Sequence, residues 1–187
     1  MRIIAGEFRG RRLHSPRPKN FQIRPTTDMV RESVFNIIAD RVQGARVLDL
    51  FAGTGAMGME ALSRGAQSCL FVDNGAKAVR IIRENVQLCE VQHRSRIMQA
   101  KVSSAISRLR SEGELFDLIF MDPPYRKGYI EKTLQIISPV ANEDSLVIAE
   151  RHIKGEPPMV PVPGWQKKLD RRYGDTLISI YSRLTIL

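Results

Sequence analysis

Apolar residues recur along this chain in two alternating rhythms. Val30, Val34, Ile37, Ile38 and Val42 repeat at helical spacing behind Pro25-Thr26-Thr27-Asp28, a proline followed by three possible capping side chains. They predict an amphipathic helix over residues 28–42. Arg46-Val47-Leu48-Asp49-Leu50 then reads as a short buried strand, and Met57, Ala61 and Leu62 as the next helix. Ser68–Asp73 is a second strand, and Val79, Ile82 and Val86 mark a helix over 75–90. Ile97-Met98 is a weak third strand, and Ala105, Ile106 and Leu109 mark another helix. Phe116–Met121 is a strong fourth strand, residues 129–137 read as helix, and Leu146–Ala149 is a fifth strand. Strands of about five residues alternating with helices predict βαβ units: an α/β, doubly wound, mostly parallel sheet covered on both faces.

The two ends break this rhythm. Residues 1–23 read as an arm rather than core. Arg2–Gly6 and Arg11-Arg12-Leu13 form a possible β-hairpin around Gly6 and Gly10, and Pro16 and Pro18 mark an extended linker. At the other end, Pro157, Pro158, Pro161 and Pro163 mark a loop. Residues 166–173 and 176–181 flank Gly174-Asp175, which predicts a closing antiparallel hairpin. The expected organisation is a basic arm over 1–24 and one catalytic domain over 25–187.

At 187 residues the chain suits one domain with a real core. No apolar run reaches the roughly 18 residues of a membrane span, and the first residues lack a secretory signal pattern. Cys69 and Cys89 form no CxxC pair, and with His14, His93 and His152 they show no metal-ligand spacing. A cytoplasmic monomer with no metal is expected. Charge adds a positive indication. The net charge is +9, and residues 1–24 contribute +6 of it through seven bases and Glu7. A localised basic segment is the footprint of a polyanion such as nucleic acid.

Asp49-Leu50-Phe51-Ala52-Gly53-Thr54-Gly55-Ala56-Met57-Gly58 places G-x-G-x-x-G between a strand and a helix. There it predicts a ligand lying against bare backbone at the C-terminal edge of the sheet. Asp73, at the end of the second strand, suits the two hydroxyls of a ribose. A pyrophosphate would sit poorly beside the Asp49 carboxylate, whereas an ammonium or sulfonium would sit well. This favours S-adenosylmethionine over NAD. Asp49, Phe51, Gly53, Gly55 and Asp73 are the expected cofactor contacts.

Asp122-Pro123-Pro124-Tyr125 follows the fourth strand. Two prolines stiffen the turn, so the Asp122 carboxylate and the Pro123 carbonyl can act as paired acceptors for an NH₂ group. Tyr125 offers a face on which a base can stack. Hydrogen bonds at both N–H groups draw a planar exocyclic amine toward tetrahedral geometry and free its lone pair for methylation. Asp122, Pro123 and Tyr125 are the candidate catalytic residues.

These blocks together resemble a known family. Arg24-Pro25-Thr26-Thr27-Asp28-Met29-Val30-Arg31-Glu32-Ser33-Val34-Phe35-Asn36, the run Val47–Ala66, the turn Asp122–Tyr125, and Arg2–Gly6 with Arg9-Gly10-Arg11 occur in the order seen in bacterial 16S ribosomal RNA guanine-N2 methyltransferases. The resemblance implies a seven-stranded methyltransferase sheet and an N-terminal RNA-binding extension. Its target would be guanine N2 in 16S small-subunit ribosomal RNA, free or within the small ribosomal subunit. Arg2, Arg9, Arg11, Arg12 and Arg24 are the candidate RNA contacts. The residues alone reach only the exocyclic amine of a base. A DNA adenine-N6 methyltransferase and a non-catalytic RNA-binding assembly factor are the alternatives. One position departs from the pattern: after the third strand, such enzymes often carry an acid or amide toward the adenine, and here Lys101 follows Gln99-Ala100. A backbone carbonyl or Gln99 is expected to serve instead.

Overall fold

A computed structural model describes residues 1–15, 26–124, 128–153 and 161–184. Among these residues, seven strands form one sheet in the order β3-β2-β1-β4-β5-β7-β6. They are β1 (Arg46–Leu50), β2 (Ser68–Asp73), β3 (Ser95–Gln99), β4 (Phe116–Met121), β5 (Ala141–His152), β6 (Trp165–Tyr173) and β7 (Thr176–Arg183). The first five pair in parallel, and β7 runs antiparallel to both β5 and β6. The mostly parallel sheet and its antiparallel closing hairpin are as expected.

Among the described residues, five α-helices cover the two faces: α1 (Thr26–Ile37), α2 (Ala56–Ser63), α3 (Ala76–Leu88), α4 (Val102–Ser111) and α5 (Tyr129–Ile137). Alternation along the strands sorts the core into two halves. Val47, Phe71 and Phe120 pack with α1, α2 and α3 on one side, and Leu48, Leu50, Val72 and Met121 pack with α4 and α5 on the other. Gly58 shows how tight this packing is. A Cβ there would come within 2.3 Å of the Phe71 ring and 2.5 Å of Cys69 Sγ, so glycine lets α2 lie down on β2. Among the described residues, no helix is long and apolar enough to cross a membrane.

Three expectations change in detail. The first helix stops at Ile37 and tightens into a 3₁₀ turn over Ala39–Arg41, because Ile38 leaves helical geometry at φ −102°, ψ 16°. The third and fifth strands are longer than their apolar runs. β5 begins earlier, where Ala141 pairs with Phe116 of β4, and gains its C-terminal extension from backbone pairing with β7 out to His152, beyond the hydrophobic segment that made it visible.

The larger correction concerns the N-terminal segment. Residues 1–15 are not an arm apart from the core: Ile3, Phe8 and Leu13 are buried within the α1–α3 half of it. The hairpin is reduced to a single bridge between Arg2 and Arg12, with Ile3 N–H bonded to Arg11 O and Gly10 N–H to Ile3 O. Its turn is clamped onto α2. The Glu60 carboxylate accepts the N–H groups of Ile4 at 2.8 Å and Ala5 at 3.1 Å. Ser63 Oγ accepts Phe8 N–H at 3.0 Å, and its carbonyl accepts Glu7 N–H at 2.8 Å. Gly6 sits between these contacts at φ +83°, and a Cβ there would stand 1.8 Å from Ser63 O. Glu60 is fully buried and is paired with Arg31 at 3.4 Å and Arg64 at 2.8 Å, so its charge is compensated on both sides. The expected linker at Pro16 and Pro18 lies outside the described residues.

Candidate active site

The strand order reverses between β1 and β4, the position where open α/β sheets bind ligands beyond their carboxyl ends. A cavity of about 740 Å³ opens there. Phe51 and Gly53 after β1, Asp73 and Asn74 after β2, Ala100–Ser103 after β3, and Asp122, Pro123 and Pro124 after β4 form its wall. Tyr129, Lys132, Thr133 and Ile136 of α5 close it. Residues far apart in sequence meet because each follows the end of a parallel strand.

The glycine turn is held in place by two carboxylates with different jobs. Asp73 Oδ2 accepts the Gly53 N–H at 2.8 Å, and Oδ1 accepts the Gly75 N–H at 2.8 Å. Each oxygen has a second lone pair, and Asp73 lines the cavity. Asp49 does not stand on the cavity wall. It is buried behind the turn on the α2 face, and its Oδ2 accepts the Gly58 N–H at 3.0 Å. Burial is the main reason its pKa rises to about 8; the nearby Asp122 and Asp73 add to the rise, and the Gly58 hydrogen bond opposes it. Gly55 also lies off the wall, in contact range of Phe71 and Ile82 beneath the turn. Of the five expected cofactor contacts, Phe51, Gly53 and Asp73 face the cavity, and Asp49 and Gly55 brace the turn behind it.

Phe51 takes the left-handed region at φ +58°, unusual for a bulky residue. The Tyr129 ring lies against it at 5.5 Å between centroids, so α5 holds this strained position. Across the cavity, Asp122 opens into the mouth while Pro123 is buried beneath it. The protein crowded around Asp122 displaces its water and raises its pKa to about 6. Tyr125, the third expected catalytic residue, lies outside the described residues, as does Arg24. Arg2, Arg9, Arg11 and Arg12 are exposed on the N-terminal segment. Arg11 stacks over Phe8 at 5.5 Å and donates to Leu88 O at 2.6 Å.

Near the third strand the expectation shifts. Gln99 is not on the cavity wall; Ala100, Lys101, Val102 and Ser103 are. Sequence reasoning also passed over Asn74, Ser103, Tyr129, Lys132 and Thr133. Asn74 had a signal in its place directly after Asp73, but the α5 residues had none, because their approach depends on how α5 packs beside α4.

A family model described as "Conserved hypothetical protein 95" matches residues 1–182. The chain is 32% identical to "Ribosomal RNA small subunit methyltransferase D" of Escherichia coli, over 98% of this chain and 90% of that protein. The chain belongs to this methyltransferase family. It is also 35% identical to YlbH of Bacillus subtilis, covering 98% of this chain and 99% of that protein. The solved structure of yhhF from Escherichia coli matches with a TM-score of 0.81 at 31% identity, over 98% of this chain and 97% of that one. Family membership covers the N-terminal segment as well as the sheet, which agrees with the burial of Ile3, Phe8 and Leu13 in one common core.

Proposed function

We propose that this protein transfers a methyl group from S-adenosylmethionine to the exocyclic N2 of a guanine in 16S small-subunit ribosomal RNA. The observation that carries the proposal is a cavity lined both by Asp73 and by Asp122-Pro123, from adjacent halves of the sheet. The residues present fit the cofactor. Asp73 offers lone pairs to ribose hydroxyls, the Gly53 backbone is bare of side chain, and the Phe51 and Val102 side chains give the cavity apolar walls. Bound there, S-adenosylmethionine supplies a methyl carbon made electrophilic by its attachment to a sulfonium. The relatives' names support ribosomal RNA as the substrate, and the exposed arginines of the N-terminal segment suit its phosphates.

On the protein side, the chemistry is positioning and proton handling. The Asp122 carboxylate and the Pro123 carbonyl accept the two N–H groups of the amine and hold its nitrogen toward the methyl carbon. Above a pH of about 6 Asp122 is ionised, so it accepts that hydrogen bond and is placed to take the proton the methylated amine sheds. Phe51 and Tyr129 keep the turn and α5 together and limit water at the reacting end.

The test is transfer of radiolabelled methyl groups to small ribosomal subunits, and to their naked RNA, from cells lacking the enzyme. Nucleoside digestion should then yield N2-methylguanosine. Label on adenine, or transfer to DNA in place of ribosomal RNA, would overturn the assignment. A protein that binds RNA but not the cofactor would point to an assembly factor.

A further inference from the structure

The edge strand β6 reads Trp-Gln-Lys-Lys-Leu-Asp-Arg-Arg-Tyr, with four cations and one acid. The acid is engaged within the hairpin: Asp170 accepts from Lys167 at 2.7 Å and from Ser179 Oγ at 2.6 Å. Lys168, Arg171 and Arg172 are exposed. Arg171 has no ion pair among the described residues, and Arg172 uses only its Nε, toward Gly174 O at 2.8 Å. The strand beneath these cations is firmly seated. Leu169 and Tyr173 pack on the α1 half of the core, and the Tyr173 hydroxyl is hydrogen-bonded to Ser33 of α1.

Register carries this strand to the active edge. Met121 pairs with Ala149, and continuing that register one residue past the end of β4 sets Asp122 level with Glu150. Glu150 pairs with Ile178, and Ile178 pairs with Arg171. Arg171 therefore lies in the same row as Asp122, three strand spacings away, or about 14 Å along the sheet at roughly 4.8 Å per strand. Neighbouring strand residues project to opposite faces, so Arg171 and Arg172 straddle the edge. The cavity takes its wall from the ends of β1–β4 and from α5, which leaves the β5–β7–β6 half of the edge uncovered by it.

We propose that β6 is a phosphate-binding strand. Lys168, Arg171 and Arg172 grip the backbone of the RNA a few nucleotides from the target base and fix how it crosses the active edge. This inference rests on the reading of the protein as a ribosomal RNA methyltransferase. Charges on an edge strand also serve to block edge-to-edge pairing, and the test separates that role from RNA binding.

The experiment compares the full-length wild type with the K168Q/R171Q/R172Q variant. Affinity for a small-subunit ribosomal RNA fragment is measured between about 50 and 200 mM salt. Cofactor affinity, melting temperature and sedimentation are measured on the same samples. The variant should bind RNA at least tenfold more weakly at low salt, and its log–log salt slope should be smaller by about two to three. Cofactor affinity and melting temperature should hold. Should the triple variant melt early, the single exposed change Arg171→Gln must still weaken RNA binding about threefold or more and lower the slope by about one. Unchanged RNA affinity overturns the proposal, and new self-association at unchanged RNA affinity assigns the charges to edge protection alone. A wild type that neither binds nor methylates ribosomal RNA would overturn the functional reading itself, and the wild-type measurement reports that separately.

Discussion

Gly53 donates its backbone N–H to the Asp73 carboxylate at 2.8 Å, across a gap of 20 residues in sequence. The carboxylate expected to serve the cofactor thus also shapes the turn on which the cofactor would lie. Asp73→Ala removes an acceptor for the ribose and leaves the Gly53 and Gly75 N–H groups without their partner. The expected cost to S-adenosylmethionine binding is about 1.5–3 kcal/mol, or roughly 10- to 150-fold in affinity, with a small drop in melting temperature. Calorimetric titration checks it, and an unchanged dissociation constant would remove Asp73 from the cofactor site.

Asp122 controls the other wall. Asp122→Ala should lower turnover by roughly a hundredfold, about 2.7 kcal/mol of transition-state stabilisation, and change cofactor affinity much less. With its pKa raised to about 6, the wild-type rate should climb as the pH rises through 6 and level off above it. Asp122→Asn keeps one acceptor but cannot titrate. Its residual activity should lack that acid limb, and a rate profile with the limb intact would assign it to another group.

Asp49 predicts a stability effect. In the folded protein burial holds its pKa at about 8, while in the unfolded chain it titrates near the ordinary value of 3.8. The folded state therefore keeps a proton that the unfolded state has released between about pH 4 and 8. Stability from this group is fully present below about pH 4 and is lost as the pH rises to about 8, with a slope of up to about 1.4 kcal/mol per pH unit. Asp49→Asn can still accept the Gly58 N–H without a buried charge. Melting temperatures from pH 5 to 9, without cofactor, should fall less steeply for Asp49→Asn than for the wild type. Parallel curves would show that Asp49 does not carry this linkage.

The N-terminal segment should behave as part of the fold. Gly6→Ala forces a Cβ against Ser63 O at a positive φ, and Glu60→Ala removes the carboxylate that pairs with Arg31 and Arg64 and accepts two backbone N–H groups. Each should cost about 3 kcal/mol or more, a fall of roughly 6–12 °C in melting temperature. Deleting residues 1–15 should destabilise the chain and weaken cofactor binding along with RNA binding. A truncated chain that melts normally and loses only RNA affinity would restore the reading of a detachable arm.

By itself, the amino-acid order determined the alternation of strands and helices, the glycine turn at Gly53–Gly58, the acid closing β2 and the rigid Asp122-Pro123-Pro124 turn. All of these are local: periodicities of two and 3.6 residues, proline and glycine backbone preferences, and short motifs read within a dozen positions. Only the tertiary structure decided that Asp49 faces Gly58 while Asp73 faces the cavity, since both are acids near a strand's C-terminal end and only packing against α2 separates them. It also decided that Ile3, Phe8 and Leu13 are core. Ile3, Phe8 and Leu13, interspersed with Arg2, Arg9, Arg11 and Arg12, look like an exposed arm until Glu60 and Ser63, more than 50 residues away, supply the hydrogen-bond partners that let that backbone be buried. The approach of α5 to the cavity and the length of β5 have the same origin, because burial and strand pairing are set by contacts distant in sequence, which no local pattern encodes.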